Sequence, residues 1–354
     1  MYIYWSLFLI VMLVQLLPVK SQKQYTERLF LSLFPLFLYG AFRVNFGLDY
    51  ETYETYFDTI QIYGEESDDR MEIGYMYLNK ILPSFRSLLI IQSFLLCVTY
   101  YYLFKWYVPY HYSWLGFLLL FLNGPMTIFF MLSGIRNGIA ISILILSTRF
   151  IHQQKVFPFT IIAFIASLFH NSIIFVAPIA YFIANGNTFT NKSIKFWLLA
   201  MLIIAITSST ILLEYMGVFI MTKFDRYSEY IEIANEQKSS VGLLISVFSI
   251  GASILFLSIL KDKQLTAKEM MIAKFTLFFY LTFLLGPLNI RMSHYFCSFF
   301  VVGSLIIIHK EAYKVLKHAY FFLIFAYIIF SLILWFQSPY FSYDTYESVL
   351  FGKA

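Results

Sequence analysis

Charge is scarce in this 354-residue chain: 13% of its residues are Asp, Glu, Lys or Arg, where a soluble globular domain carries about 25%. That shortage excludes an ordinary water-facing surface. Cysteine is scarcer still. Cys97 and Cys297 both fall inside apolar runs, so they read as small buried hydrophobes, with neither a disulfide framework nor a metal site expected. The chain has no Walker A loop, no His-Glu-x-x-His and no Gly-x-Ser-x-Gly, which removes the obvious ATPase, zinc protease and serine hydrolase readings. The formal charge of +5 is spread over many short gaps, so it gives no footprint for nucleic acid.

Apolar residues fill the space that charge leaves. Sixty per cent of the chain is hydrophobic and mean hydropathy is +0.73. A helix needs about 20 apolar residues to cross a bilayer, with about 17 as a working minimum. The runs fall at 1–19, 29–42, 88–104, 113–132, 135–151, 156–169, 172–184, 194–213, 241–260, 270–288, 293–309 and 319–337. They predict an all-α, polytopic transmembrane bundle of about 12 segments, forming one integral membrane domain over 1–354. Residues 1–19 lack a basic n-region and a small-residue cleavage site, so they are expected to be a membrane helix and not a signal peptide.

Loop charge orients the bundle. Lys20, Lys23 and Arg28, then Lys105, Lys155, Lys192 and Lys195, Lys261 to Lys274, and Lys310 to Lys317 occupy gaps that all fall on one side if every run crosses. The positive-inside rule makes that side cytoplasmic. Two acidic stretches then lie outside, 43–87 and 214–240. The same count decides whether 156–184 is one helix or two. A single crossing would throw the Lys261–Lys274 cluster outside, so the segment must break at His170-Asn171-Ser172. Such a break belongs against protein or water, which places His170 at the outer end of two short segments, recessed in a cavity. In the first external loop Tyr50, Tyr53, Phe57 and Ile60 recur at helical spacing with Glu51, Glu54 and Asp58 on other faces. This pattern predicts an amphipathic helix lying at the interface.

Arginine collects on the outer side while lysine dominates inside. Arg43, Arg136, Arg226 and Arg291 all stand at or near outer helix ends. A guanidinium binds phosphate through paired hydrogen bonds and keeps its charge, so these arginines, if they converge, would seat a lipid diphosphate. Arg136 sits between two apolar runs with almost no loop available, and a charge so placed is usually functional. Arg291 stands in a similar turn after Gly286-Pro287. Arg43 could equally snorkel or pair with the acidic loop, and Arg226 could be an ordinary solvated side chain. His170 is the histidine at an outer break, His294 lies near Arg291, and Asp49 and Glu72 could act as general base or bind sugar hydroxyls.

Several ordered segments resemble the EpsG family of Wzy-type polysaccharide polymerases. They are Arg43 with Gly47-Leu48-Asp49-Tyr50-Glu51-Thr52-Tyr53, Glu72-Ile73-Gly74-Tyr75, Ile135-Arg136-Asn137-Gly138-Ile139-Ala140, Phe169-His170-Asn171-Ser172, Arg226-Tyr227-Ser228-Glu229-Tyr230, and Arg291 with Tyr295-Phe296. The family often has glutamine where this chain has Asn137. The resemblance implies a GT-C-like bundle in the bacterial cytoplasmic membrane that joins undecaprenyl-diphosphate-linked oligosaccharides on its extracytoplasmic face. O-antigen, capsule or exopolysaccharide would be the product, with no nucleotide or metal cofactor and a chain-length regulator as a possible partner besides membrane lipid. Arg136, Arg291 and Arg43 would then bind diphosphate, and His170 or Asp49 would serve as base. Tyr50, Tyr53, Glu72, Arg226, Tyr227, Tyr230, His294 and Tyr295 would contact substrate. A flippase for the same lipid, or a membrane acyltransferase, stands as the rival reading.

Overall fold

The computed structural model describes residues 2–47, 49–64, 71–185, 240–260, 265–284, 293–309, 314–337 and 347–348. Its contacts divide the chain into two compact units, Met1–Tyr181 with Phe330–Ala354, and Phe182–Ile329.

The first unit opens with α1 (Tyr2–Gln15) and α2 (Gln22–Ala41), followed by a two-residue strand β1 (Arg43–Val44). Two helices of the acidic loop come next, α3 (Tyr50–Tyr63) and α4 (Ile73–Ile81), and then α5 (Phe85–Tyr107). After them come α6 (Ser113–Leu122), α7 (Phe130–Ser133), α8 (Ile135–His152), α9 (Val156–Ser167) and α10 (Ile173–Asn185). The second unit holds α11 (Ser240–Ile259), α12 (Ala267–Leu284) and α13 (Cys297–His309), and α14 (Lys314–Gln337) runs on from it. A short β2 (Glu347–Ser348) closes the described residues and pairs antiparallel with β1, Arg43 opposite Ser348.

Among the described residues α5, at 23 residues, is long and apolar enough to cross a membrane unaided. The α6–α7 pair would do so only as a bent unit, with a 70° angle at its break. α1, α9, α10 and α13 are shorter apolar helices. The run at 113–132 is therefore not one unbroken helix. Asn123 ends α6, and a π turn at Pro125–Phe129 reaims the chain before α7. Proline lacks the N–H a continuing α-helix needs and crowds the preceding turn. α2 extends the apolar run 29–42 by about two turns at its start. Ser21 accepts a hydrogen bond from the Gln24 amide, and this N-cap starts α2 at Gln22. The break expected at His170-Asn171-Ser172 is present, between Ser167 and Ile173. The run 194–213 and the loop up to Gln237 lie outside the described residues.

α2, α5, α8 and α9 pack in succession, α2 on α5, α5 on α8 and α8 on α9. Small residues permit the closest approaches. A Cβ on Gly138 would collide with the Met131 carbonyl and lie 3.0 Å from the Gln92 amide nitrogen, so α8 can fold back against the α7 turn only with glycine there. The helix expected in the first acidic loop is α3, with Tyr50, Tyr53, Tyr56, Phe57 and Ile60 buried. Its apolar face meets protein: these residues form one core with Tyr75, Phe85, Leu88, Leu89, Ile135 and Ile139. In the second unit α12 packs on α11 and α13. A buried hydroxyl chain runs there from Tyr280 to Tyr320 at 2.9 Å and from Tyr320 to Ser304 at 2.9 Å.

Candidate active site: a carboxylate joining arginine and histidine

Three separated stretches of sequence meet at Glu72, the residue before α4. Its Oε2 accepts from Arg136 NH1 at 2.5 Å. Its Oε1 accepts from His170 Nδ1 at 3.1 Å and from the Asn171 backbone amide at 3.2 Å. Arg136 enters from the first turn of α8, and His170 and Asn171 come from the α9–α10 break. A second tie fixes the same meeting point, since the Gly74 amide donates to the Leu168 carbonyl at 2.8 Å. A Cβ on Gly74 would stand 2.7 Å from that oxygen, so only glycine lets α4 come this near the end of α9.

The electrostatics of the cluster follow from burial. Glu72 keeps 5% of its side chain exposed, against 22% for Arg136 and 20% for His170. The carboxylate stands behind while the guanidinium and imidazole reach the surface. Burial alone would raise the Glu72 carboxyl, but the His170 hydrogen bond, the Arg136 charge and the Asn171 amide together pull it down to about 2. Glu72 is therefore ionised and can only accept. His170 must carry its proton on Nδ1, and in the neutral ring that leaves the lone pair on Nε2.

Aromatic rings from α3 and α4 wall the cluster. The Arg136 guanidinium lies 5.8 Å from the Tyr53 ring centroid, within cation–π range. Tyr53 meets Tyr75 edge-on at 5.6 Å, and Tyr56 stacks on Tyr75 at 5.8 Å. Burial raises the Tyr53 hydroxyl pKa, the nearby Arg136 opposing it and Asp49 and Glu72 adding to it. Asp49 is the exposed N-cap position of α3, one turn before Tyr53. Tyr50 is buried and packs edge-on against Phe85 at 5.3 Å.

Arg43 is placed differently from Arg136. It is completely buried, with NH1 donating to the Gly40 carbonyl and NH2 to Gln92 Oε1 and the Leu132 carbonyl, at 2.5, 2.5 and 2.9 Å. Gln92 in turn donates to the Met131 carbonyl at 2.6 Å. Arg43 and Gln92 thus grip the end of α7 immediately before the turn that launches Arg136. Arg86 braces the same region from α5, donating to the Ala41 and Arg43 carbonyls at 3.0 and 2.7 Å. Sequence reasoning passed over Gln92 and Arg86. An amide in the middle of the apolar run 88–104 was the available signal for Gln92.

The structure brings Glu72, Arg136, His170 and Tyr53 together, with Asp49 one turn away on α3. His294 and Tyr295 are buried in the second unit. Arg226, Tyr227, Tyr230 and Arg291 lie outside the described residues. No curated protein and no solved structure matches the chain. One family model does, over residues 1–348, and it is the family whose motifs the meeting residues carry. The chain belongs to the EpsG family, a family of membrane proteins whose members are Wzy-like polymerases.

Proposed function

We propose that this protein joins lipid-linked oligosaccharide repeat units, taking undecaprenyl-diphosphate donor and acceptor, on the extracytoplasmic face of the bacterial cytoplasmic membrane. The observation that carries this reading is the Glu72-centred cluster, a permanent cation and an imidazole held by one carboxylate, each with about a fifth of its side chain exposed. A donor used outside the cell must arrive already activated, and a diphosphate leaving group supplies that activation. An acceptor hydroxyl oxygen attacks the anomeric carbon of the donor chain. The bond between that carbon and the diphosphate oxygen breaks, and the carrier diphosphate leaves with the electron pair.

Arg136 binds the diphosphate and stabilises the charge that grows on it, the largest single contribution such a site can make. His170 takes the acceptor proton on Nε2, with Nδ1 committed to Glu72. Asp49, on the rim beside Tyr53, is the alternative base. Arg291 remains a proposed diphosphate ligand, and Arg226, Tyr227, Tyr230, His294 and Tyr295 remain proposed substrate contacts. Arg43, with its terminal nitrogens on interior acceptors, serves to place Arg136. A multi-pass, GT-C-like bundle fits this chemistry because two lipid-borne substrates must be held in line. A chain-length regulator would act on the same external surface, and neither nucleotide nor metal takes part in the steps written here.

Topology lends independent support. β1 follows α2 and β2 follows α14, and the two strands pair. That pairing is compatible with the expected topology, in which an even number of crossings separates Val44 from Glu347. The test is the surface polysaccharide of a deletion strain complemented with wild type, Arg136→Ala or His170→Ala. The expected result is full chain length with wild type, and single repeat units on the final carrier with either variant at normal protein level. Absence of any exported unit in the deletion strain would indicate a flippase, and normal chain length in both variants would overturn the assignment.

A further inference from the structure

Among the described residues, α4 packs one face on protein and leaves an apolar stripe on the other exposed. Tyr75 and Asn79 are buried against the α3–α5 core. On the other side Ile73, Tyr77 and Ile81 stand 53%, 57% and 74% exposed. Their spacing of four residues puts them on one stripe of the helix. A short helix in a water-facing loop has no reason to present such a stripe. α3 beside it exposes Glu51, Thr55 and Asp58 opposite its buried face, and its exposed apolar residues, Ile62 and Tyr63, are confined to its last turn.

Both ends of α4 adjoin helices that present exposed apolar side chains. At its start, Gly74 is bonded to Leu168 at the end of α9, whose Phe157, Ile161 and Phe164 are exposed at 76%, 44% and 64%. At its finish, Leu82 is the C-cap and Ser84 already caps α5, the membrane-length helix. Nine residues make about 13 Å of helix, so α4 runs from the end of one apolar helix to the start of another. Lys80 stands exposed with its ammonium 5.9 Å from the Tyr77 ring, the pairing of aromatic ring and long cation that marks the headgroup level.

We infer that α4 lies in the plane of the membrane surface with Ile73, Tyr77 and Ile81 inserted at the boundary between lipid headgroups and acyl chains. The partner is the bilayer itself. The placement sets the Glu72 cluster, one residue before Ile73, at headgroup depth, where the phosphates of a lipid-borne substrate reside while its sugars project outward. The interfacial role expected of α3 thus passes to its neighbour.

The inference is independent of the polymerase reading, and its test does not use polymer formation. Single cysteines replace Ile73, Tyr77 and Ile81, exposed positions whose loss leaves the core intact, with Asp58→Cys as the control on α3. Each variant is nitroxide-labelled and reconstituted in vesicles of phosphatidylethanolamine and phosphatidylglycerol. Identically treated parent protein provides the blank for Cys97 and Cys297. Collision with oxygen, which concentrates in lipid, is compared with collision with a water-soluble nickel chelate. The three α4 positions are expected to favour oxygen at one common shallow depth, and Asp58 to favour nickel. Nickel access at all three would place the stripe in water. Immobilised labels reached by neither agent would mean that protein covers it. Either result overturns the inference and leaves the Arg136 and His170 assignments standing.

Discussion

Replacing Glu72 with alanine is the sharpest perturbation the site offers, because three donors lose one acceptor at once. Arg136 NH1, His170 Nδ1 and the Asn171 amide all end on this carboxylate. Breaking a buried ion pair costs about 3–5 kcal/mol. Arg136 retains 22% exposure and can turn to water, which puts the cost near the low end, about 3 kcal/mol. At 1.4 kcal/mol per decade, the correctly seated arrangement falls by roughly 100-fold. Glu72→Gln keeps the shape and can still accept from His170 or Asn171, but it brings no counter-charge to Arg136. Glu72→Asp keeps the charge on a shorter stem that cannot span both partners. The assay is the polysaccharide ladder from a deletion strain, normalised to inserted protein carrying an N-terminal epitope. Alanine and glutamine are expected to abolish the ladder and aspartate to leave short chains. A wild-type ladder from Glu72→Ala at equal protein would refute the idea that this carboxylate seats the catalytic pair.

Arg43→Ala should act on folding before it acts on chemistry. The Gly40 and Leu132 carbonyls and Gln92 Oε1 lose their donor in a fully buried site, so membrane-inserted protein and thermal stability in detergent fall together. A stable, well-inserted but inactive protein would instead make Arg43 a substrate ligand. Gly138→Ala should likewise displace α8 from the Met131 carbonyl, lowering both stability and polymer, whereas Gly64→Ala, with open space around it though with a left-handed backbone, should cost about 1 kcal/mol. The Glu72 carboxyl, drawn from 4.5 to about 2, contributes about 3 kcal/mol that is complete above its unfolded value. That stability is lost as pH falls from about 5 toward 2, so wild type should lose its advantage over Glu72→Gln across that range in detergent melts. Parallel melting curves would show that the pair contributes nothing.

Much of this arrangement was legible in the chain because it rests on local rules. The four-and-three spacing of Tyr50, Tyr53, Phe57 and Ile60 defined α3, and the lysine count required the break at His170. Arg136 and His170 were marked by their chemistry and by helix-end positions. What the sequence did not disclose was their mutual relation. Glu72 read as one acid among many in the loop, since being an acceptor for two distant helices is a property of three-dimensional packing. The same holds for Gln92, whose partners Arg43 and Met131 are 49 and 39 residues away. α3 was expected at the interface because a hydrophobic stripe looks alike whether lipid or protein covers it. α4, nine residues with apolar side chains on both faces, offered no clean period to read. The break in 113–132 falls at Asn123-Gly124-Pro125, whose residue types mark a helix breaker within an otherwise apolar run.

The central claim is most directly tested with purified protein in vesicles supplied with a defined undecaprenyl-diphosphate-linked repeat unit. Wild type should produce a ladder of lipid-linked chains and release one carrier diphosphate for each linkage formed, while Arg136→Ala and His170→Ala should do neither. Movement of the lipid across the bilayer without new linkages or released diphosphate would contradict the account.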